Sequence, residues 1–307
     1  MKYEKTMSIN HPVDIPDQSD TDRLIEQVLD EDIGIGDITT EAIVGYESHT
    51  DGIWVAKDSG VIAGLEIARR VFLKLDPEFY WLPQVEDGEW VEEGTILAKI
   101  FGQSRALLTA ERVALNFVQR MSGIATKTRQ FVKQVEGFSV SILDTRKTVP
   151  GIRVLDKYAV AAGGGQNHRM GLFDLAMIKD NHIRAAGGIG HAVKKVRDYA
   201  PEIRIEVETT TLGQVKAAVN AEADIIMLDN MNVEMMLKAV QIIGSSAYTE
   251  ASGNISLENV RKVAMTGVNS ISVGALTHSV QAFDISQIIK SETDSKLKKT
   301  NEESTDG

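Results

Sequence analysis

Ile203-Arg-Ile-Glu-Val-Glu-Thr209, then a helix-compatible stretch, then Asp224-Ile-Ile-Met-Leu-Asp-Asn230 set the rhythm of the second half of the chain. Each run is short, apolar in its body and polar at its end, the pattern of a buried strand. Four more runs share the form: Val140-Ser-Ile-Leu-Asp-Thr-Arg-Lys147, Leu175-Ala-Met-Ile-Lys-Asp-Asn181, Tyr248-Thr-Glu-Ala-Ser-Gly-Asn254 and Ser270-Ile-Ser-Val-Gly274. Their ends recur about every 20 to 35 residues, the length of a βα unit. Repeated βα units require a parallel sheet with right-handed crossovers. An eight-stranded barrel takes about 250 residues, more than this half provides. The expectation is a six-stranded parallel α/β barrel over residues 126–280, closed or nearly closed.

The preceding residues, 20–125, read as an α/β sandwich domain. Asp20–Leu29 is an opening helix with Leu24, Ile25, Val28 and Leu29 on one stripe. Two short strands flank an Asp-Ser-Gly turn between Trp54 and Gly64, Ile67–Leu75 is helical, and Val85–Ile100 reads as strand, turn, strand. That last hairpin is like those of biotinyl and lipoyl carriers, but its turn lacks the acceptor lysine. Thr109 is expected to cap a helix that Gly123 stops after Met121. Residues 280–290 are expected to pack back on this domain. The ends, 1–19 and 291–307, are too polar to offset ordering entropy and are expected to be flexible.

The chain has 307 residues, with 33 Lys and Arg against 44 Asp and Glu, a net charge of −11. That balance argues against a protein that coats nucleic acid or an anionic membrane. Cysteine is absent, which excludes disulfides, thiolate metal sites and Cys nucleophiles. No apolar run approaches the roughly 18 residues of a membrane span, and the first residues lack a signal-peptide core, so a cytoplasmic location is expected. The charge is uneven. Arg112 to Arg184 holds twelve Lys and Arg against five acids, +7, leaving −18 for the rest. A basic centre in an acidic chain fits a small anionic ligand. Lys127, Arg129 and Lys133 read instead as a solvated helix face.

In parallel barrels the chemistry gathers at the C-terminal ends of the strands. Here the early ends are cationic (Arg146, Lys147, Lys179), joined by His168 and Arg169 from a glycine-rich loop. The middle ends are the acids Glu208 and Asp229; the last are small, Ser252-Gly253-Asn254 and Ser272 to Gly274. Cations suit carboxylates, acids suit sugar hydroxyls or Mg²⁺, and exposed backbone N–H groups suit phosphate. Glu206, one level below Glu208, is expected to pair with a neighbouring cation. The implied ligands are a carboxylate compound and a phosphorylated sugar.

The motifs Thr145-Arg-Lys-Thr-Val-Pro-Gly151, Gly164-Gly-Gln-Asn-His-Arg169, Ile178-Lys-Asp-Asn-His182, Glu206-Val-Glu-Thr209, Glu250-Ala-Ser-Gly-Asn-Ile255 and Ser272-Val-Gly274 together resemble the quinolinate phosphoribosyltransferase family. Thr109-Ala-Glu-Arg-Val-Ala-Leu-Asn116 and the Asp32–Thr40 segment resemble the same family. The resemblance implies a type II phosphoribosyltransferase-like fold. It also implies transfer of phosphoribosyl from 5-phosphoribosyl 1-pyrophosphate to quinolinate with loss of CO₂, using Mg²⁺. It places Arg112, Arg146, His168, Arg169 and Lys179 around the quinolinate carboxylates, with Glu208 and Asp229 on the ribose or the metal. Ser252, Gly253, Asn254, Ser272 and Gly274 would take the 5-phosphate, and Lys147 and His278 would face phosphate groups. Lys147, Lys179, Glu208 and Asp229 are the implied catalytic residues. A homodimer is implied, with Arg112 completing the partner's pocket. Two alternatives stand: a paralogue of the same fold found with molybdate uptake systems, and a Schiff-base lyase using Lys147 or Lys179.

Overall fold

A computed structural model of the chain describes residues 18–289. The expectations for the two tails fall outside these residues, except that Gln18 and Ser19 already belong to the first helix. In chain order come α1 (Gln18–Ile33), α2 (Ile38–Ile43), β1 (His49–Ala56), β2 (Gly60–Val61), α3 (Leu65–Leu75), β3 (Tyr80–Pro83), β4 (Trp90–Val91), β5 (Ile96–Gln103) and α4 (Ser104–Gln134). An alternating series follows: β6 (Ser141–Leu143), α5 (Arg153–Ala162), β7 (Ala176–Ile178), α6 (Asp180–Ala186), α7 (Ile189–Tyr199), β8 (Ile205–Thr209) and α8 (Leu212–Asn220). It continues with β9 (Ile225–Asp229), α9 (Val233–Ile243), β10 (Tyr248–Ser252), α10 (Val260–Ala264), β11 (Ser270–Ser272) and α11 (Ala275–His278), before a last strand, β12 (Ile285–Ile289). Two compact units result, 127–280 and 18–126 with 281–289.

The smaller unit is built on an antiparallel sheet ordered β12-β1-β5-β3. Period-two burial along β1 puts Gly52, Trp54 and Ala56 inward. Trp54 meets Trp81 edge-on at 5.3 Å, and Phe72 of α3 stacks on Phe79 at 4.6 Å. Asp87 accepts the N–H groups of Gly64 and Leu65 at 2.7 and 3.1 Å, satisfying donors at the start of α3.

The two strands expected around the Asp-Ser-Gly turn are present as β1 and β2, and β2 pairs with β4. Two local expectations change. Thr109 lies inside α4, where its hydroxyl donates to Asp37 at 2.9 Å, while Asp37 caps α2 through Thr40 N–H at 3.0 Å. Gly123 does not stop α4, which runs on to Gln134. A glycine inside a helix costs about 1 kcal/mol, whereas burying one Met or Ile side chain contributes roughly 1.5–3 kcal/mol. Met121 and Ile124, both fully buried, therefore outweigh it.

The larger unit holds the six predicted strands in one parallel sheet ordered β6-β11-β10-β9-β8-β7. Residues paired across neighbouring strands share a face. One such row runs Glu208, Met227, Glu250, Ser270, Ser141, and another runs Met177, Glu206, Ile225, Tyr248. The opposite face carries the buried apolar Val207, Ile226, Leu228, Ala251 and Ile271. β8 and β10 are two positions apart, about 9.5 Å in a flat sheet. Yet His168 Nε2 lies 3.2 Å from Glu206 and 3.3 Å from Glu250. The sheet therefore curls, with its polar face inward.

The curl leaves a seam, since β6 and β7 share no ladder. Gln166 fills it, donating its N–H to Ile142 O at 2.8 Å and accepting Asp144 N–H at 3.1 Å. On the β7 side Arg169 donates from Nη1 to Leu175 O at 3.1 Å. The Gln166–Arg169 segment thus closes the barrel.

Phe72 is fully buried among aromatic rings. Phe72→Ala is expected to destabilise the protein by about 3–5 kcal/mol, read by urea denaturation followed through tryptophan fluorescence. A loss under 1 kcal/mol would contradict this packing.

Candidate active site

β6 ends at Leu143, and Asp144, Arg146 and Lys147 follow on the loop leaving the barrel. Asp144 is fully buried and pairs with Lys157 of α5, itself fully buried. Its carboxylate also accepts Asn167 Nδ2 at 2.6 Å and His168 N–H at 2.9 Å, while Lys157 Nζ donates to His168 O at 2.9 Å. Burial pushes Asp144 up and Lys157 down from their ordinary values, and each counters the other's shift. The composition around Asp144 and Lys157 gave no signal of this pair. It holds the loop bearing Arg146 to the segment bearing Arg169.

Arg146 is half-buried, and its Nε has no hydrogen-bond partner. Burial, and next the charge of Arg146, lower Arg169 below the usual guanidinium range. Two guanidinium groups therefore share one neighbourhood, and their like charges disfavour each other.

His168 is buried, 8% exposed, and is turned into the barrel. Its Nδ1 accepts Arg169 N–H at 2.7 Å, so Nε2 carries the proton and faces Glu206 and Glu250 at ion-pair distance, 3.2 and 3.3 Å. Burial alone would lower the ring, but Glu250 and Glu206 push it up to about 10. Burial and then Glu250 push Glu206 up to about 7. The two carboxylates thus favour a second ring proton, but the Arg169 N–H occupies Nδ1 and leaves the single ring proton on Nε2. Among the described residues these three side chains also have the spacing of a metal site. A metal would need the Nε2 lone pair, which the tautomer denies. Glu250 stood in a quoted motif without a role; its parity on β10 with Ser252 was the available signal.

Lys179 follows β7 and pairs with Glu208 of β8 at 2.9 Å. That contact commits its amine to a carboxylate rather than to the all-cation surroundings that a Schiff-base lysine requires. Its N–H donates to His182 Nδ1 at 3.1 Å. Asp229, at the end of β9, accepts Asn230 Nδ2 at 2.9 Å. Burial first, and the charge of Glu208 in part, push Asp229 up. Glu208 and Asp229 therefore form a pair of hard oxygen donors on adjacent strands, a set that fits Mg²⁺ shared with a phosphate ligand and water.

The small strand ends meet at left-handed backbone. Gly253 has φ +93°, and Asn230 and Asn254 each have φ +53°. A Cβ on Gly253 would lie 2.3 Å from Asn230 Oδ1 and 2.9 Å from Asn230 N. Asn254 Nδ2 donates to Asn230 Oδ1 at 2.9 Å, tying the ends of β9 and β10 together. Ser252 is half-buried, whereas the buried Ser272 hydroxyl points inward without a partner. Gly274 lies between Lys147 and His278, whose carbons would sit 3.0 and 3.2 Å from a Cβ there. His278 Nδ1 is 2.7 Å from Ser279 Oγ.

Arg112 belongs to the other unit, exposed on α4 beside Asp32, Asp37 and Leu108. Lys127 and Arg129, read as a solvated face, instead reach carbonyls, Ser279 O at 2.7 Å and Gly163 O at 2.9 Å. A cavity of about 60 Å³ lies inside the barrel, lined by His168, Arg169 and Glu250 together with Arg204, Ile225 and Tyr248.

Models of the quinolinate phosphoribosyl transferase C-terminal and N-terminal domains match residues 124–287 and 37–122. A mitochondrial quinolinate phosphoribosyltransferase [decarboxylating] of Nicotiana tabacum is 44% identical over 293 residues, covering 89% of this chain and 83% of its own. A probable nicotinate-nucleotide pyrophosphorylase [carboxylating] of Bacillus subtilis is 46% identical over 265 residues, covering 86% and 91%. The solved nicotinate-nucleotide pyrophosphorylase of Francisella tularensis superposes with a TM-score of 0.86 at 40% identity, covering 89% of this chain and 96% of its own.

Lys157→Met would leave Asp144 buried without its cation. Removing one partner of a buried pair costs about 3–5 kcal/mol, and that loss is expected in thermal and urea unfolding at pH 7. Unchanged stability would show that Asp144 does not depend on Lys157.

Proposed function

Since the chain belongs to the quinolinate phosphoribosyltransferase family, we propose that it is a pentosyltransferase acting on quinolinate. It transfers phosphoribosyl from 5-phosphoribosyl 1-pyrophosphate, with decarboxylation to nicotinate mononucleotide, pyrophosphate and CO₂, a step of NAD biosynthesis. The observation that carries the reading is the sorting of charge around the barrel's strand ends. Arg146, Arg169 and Lys179 supply cations, Glu208 and Asp229 supply carboxylates, and Gly253 and Gly274 supply close-approach backbone.

Arg146, Arg169 and Lys179 bind the two quinolinate carboxylates, the guanidinium groups by bidentate contacts. His168, expected among them, has both ring nitrogens occupied by Arg169 N–H and the two glutamates and supports Arg169 instead. The backbone around Ser252, Gly253, Asn254, Ser272 and Gly274 takes the 5-phosphate, and Lys147 and His278 face phosphate oxygens. The pyridine nitrogen attacks ribose C1 without losing a proton, so no strong base is required. Catalysis is positioning together with stabilisation of the leaving charge and of an oxocarbenium-like sugar. Glu208 and Asp229 hold the ribose hydroxyls and would hold Mg²⁺, which neutralises pyrophosphate charge when bound. The quaternary ring nitrogen is then the electron sink. The C2–carboxylate bond breaks, CO₂ leaves, and the electron pair left on C2 takes up a proton. A cytoplasmic location belongs to the same reading. Product analysis with quinolinate and phosphoribosyl pyrophosphate, with and without Mg²⁺, tests the whole; no nicotinate mononucleotide would refute it.

Substrate choice gives a sharper expectation. Nicotinate leaves several cations unpaired, at about 1–3 kcal/mol each, a total above the roughly 1.4 kcal/mol that makes tenfold. Quinolinate should therefore exceed nicotinate more than tenfold in kcat/KM; equal values would remove the two-carboxylate site.

We further propose a two-fold dimer in which Arg112 completes the partner's quinolinate pocket. An isologous interface makes that exchange reciprocal. Arg112→Ala and Lys179→Ala are each expected to be nearly inactive. Random mixing makes half the dimers heterodimers, each with one intact site, so about a quarter of wild-type activity should return. No recovery, with subunit exchange verified by mass spectrometry, would place Arg112 in its own chain's site or in none.

A further inference from the structure

We propose that Glu206 and Glu250 are positioning residues for the Arg169 guanidinium, acting through His168 as the pin of the barrel seam. The inference rests on the reading that Arg169 binds a quinolinate carboxylate. Both His168 ring nitrogens are engaged, Nδ1 by Arg169 N–H at 2.7 Å and Nε2 by the two glutamates at 3.2 and 3.3 Å. The ring thus links the far wall of the barrel, β8 and β10, to the backbone nitrogen of Arg169. From the other side Asp144 holds His168 N–H and Lys157 holds His168 O. The 168–169 peptide is fixed from two directions, and the Arg169 fork is aimed by that peptide and by Leu175 O.

The remaining polar atoms of the cluster point to orientation rather than to a ligand-binding task. Glu206 Oε1 and Glu250 Oε1 have no hydrogen-bond partner, and Glu206 Oε2 meets only His168 Nε2, as an ion-pair contact at 3.2 Å without hydrogen-bond geometry. The Nε2–H between the carboxylates is thus the polar contact that the structure gives Glu206. Neutralising either carboxylate weakens the acceptor pair and lets the ring turn about its Cβ–Cγ bond. Nδ1 then leaves Arg169 N–H, and the guanidinium loses its aim. A bidentate carboxylate contact is sensitive to such rotation, whereas a point charge is not.

The test is a double-mutant cycle on the full chain, with quinolinate KM, phosphoribosyl pyrophosphate KM and kcat measured for each variant. Glu250→Gln is isosteric and is expected to raise quinolinate KM at least tenfold, with phosphoribosyl pyrophosphate KM changed less than twofold. In an Arg169→Lys background, where no fork remains to be aimed, Glu250→Gln should raise quinolinate KM less than twofold. His168→Gln, which keeps an N–H near the Nε2 position, should recover most of the affinity that His168→Leu loses. Should Glu250→Gln fail to fold, Glu206→Gln runs the same cycle. Equal effects in the two backgrounds, or both substrates' KM values rising together, would overturn the inference. Absence of wild-type activity on quinolinate would instead refute the functional reading itself.

Discussion

A six-stranded sheet that curls far enough to meet itself must satisfy two edges, and here β6 and β7 do not pair. Unpaired strand edges expose donors and acceptors that need partners. The chain meets that need with Gln166 on one edge and the Arg169 side chain on the other. Between them His168 projects into the barrel and holds the opposite wall through Glu206 and Glu250. The closing element of the fold is therefore also the carrier of the basic residues. An ordinary ladder would have closed the sheet but placed no cation in its mouth.

Buried ion pairs contribute little net stability, because desolvation offsets most of the attraction. Asp144 with Lys157, and His168 with two glutamates, are costly ways to close a barrel if stability were the only return. Their geometry supplies what apolar residues could not. Asp144 touches Asn167 and His168 while standing two residues before Arg146, so one carboxylate ties together the two backbone segments that bear Arg146 and Arg169. The like charges of Arg146 and Arg169 disfavour each other, and that network keeps their backbone segments together nonetheless.

The sequence made the rhythm of the barrel legible because each βα unit carries its own apolar run and polar end. All six runs appear as strands, although β6, β7 and β11 keep only three residues each. Glu208, Asp229 and Lys179 were legible as strand-end residues for the same reason. The closing of the sheet was not legible, since it depends on pairing between residues far apart in the chain. His168 appeared as one more basic group in a glycine-rich loop; only the curl of the sheet brings Glu206 and Glu250 to it. Lys157 and Asp156 carry no sequence signal that separates them from other charges, yet both are fully buried. Gly123 misled because a helix-stopping propensity near 1 kcal/mol is a local quantity, overridden by buried neighbours.

The two ends of the proposed substrate pocket use opposite physical means. At the cationic end, side chains are aimed by buried charges, and a small rotation there changes affinity. At the glycine end the backbone itself is shaped: Asn230, Gly253 and Asn254 adopt left-handed conformations, locked by the Asn254–Asn230 hydrogen bond. With Asn230 N only 2.9 Å from a Cβ on Gly253, no larger residue fits without moving the β9 end that bears Asp229. A phosphate is nearly isotropic and is served by a rigid ring of N–H donors. Two carboxylates on a flat ring have direction, and only aimed forks read it. The division of labour around the strand ends follows from the shapes of the anions.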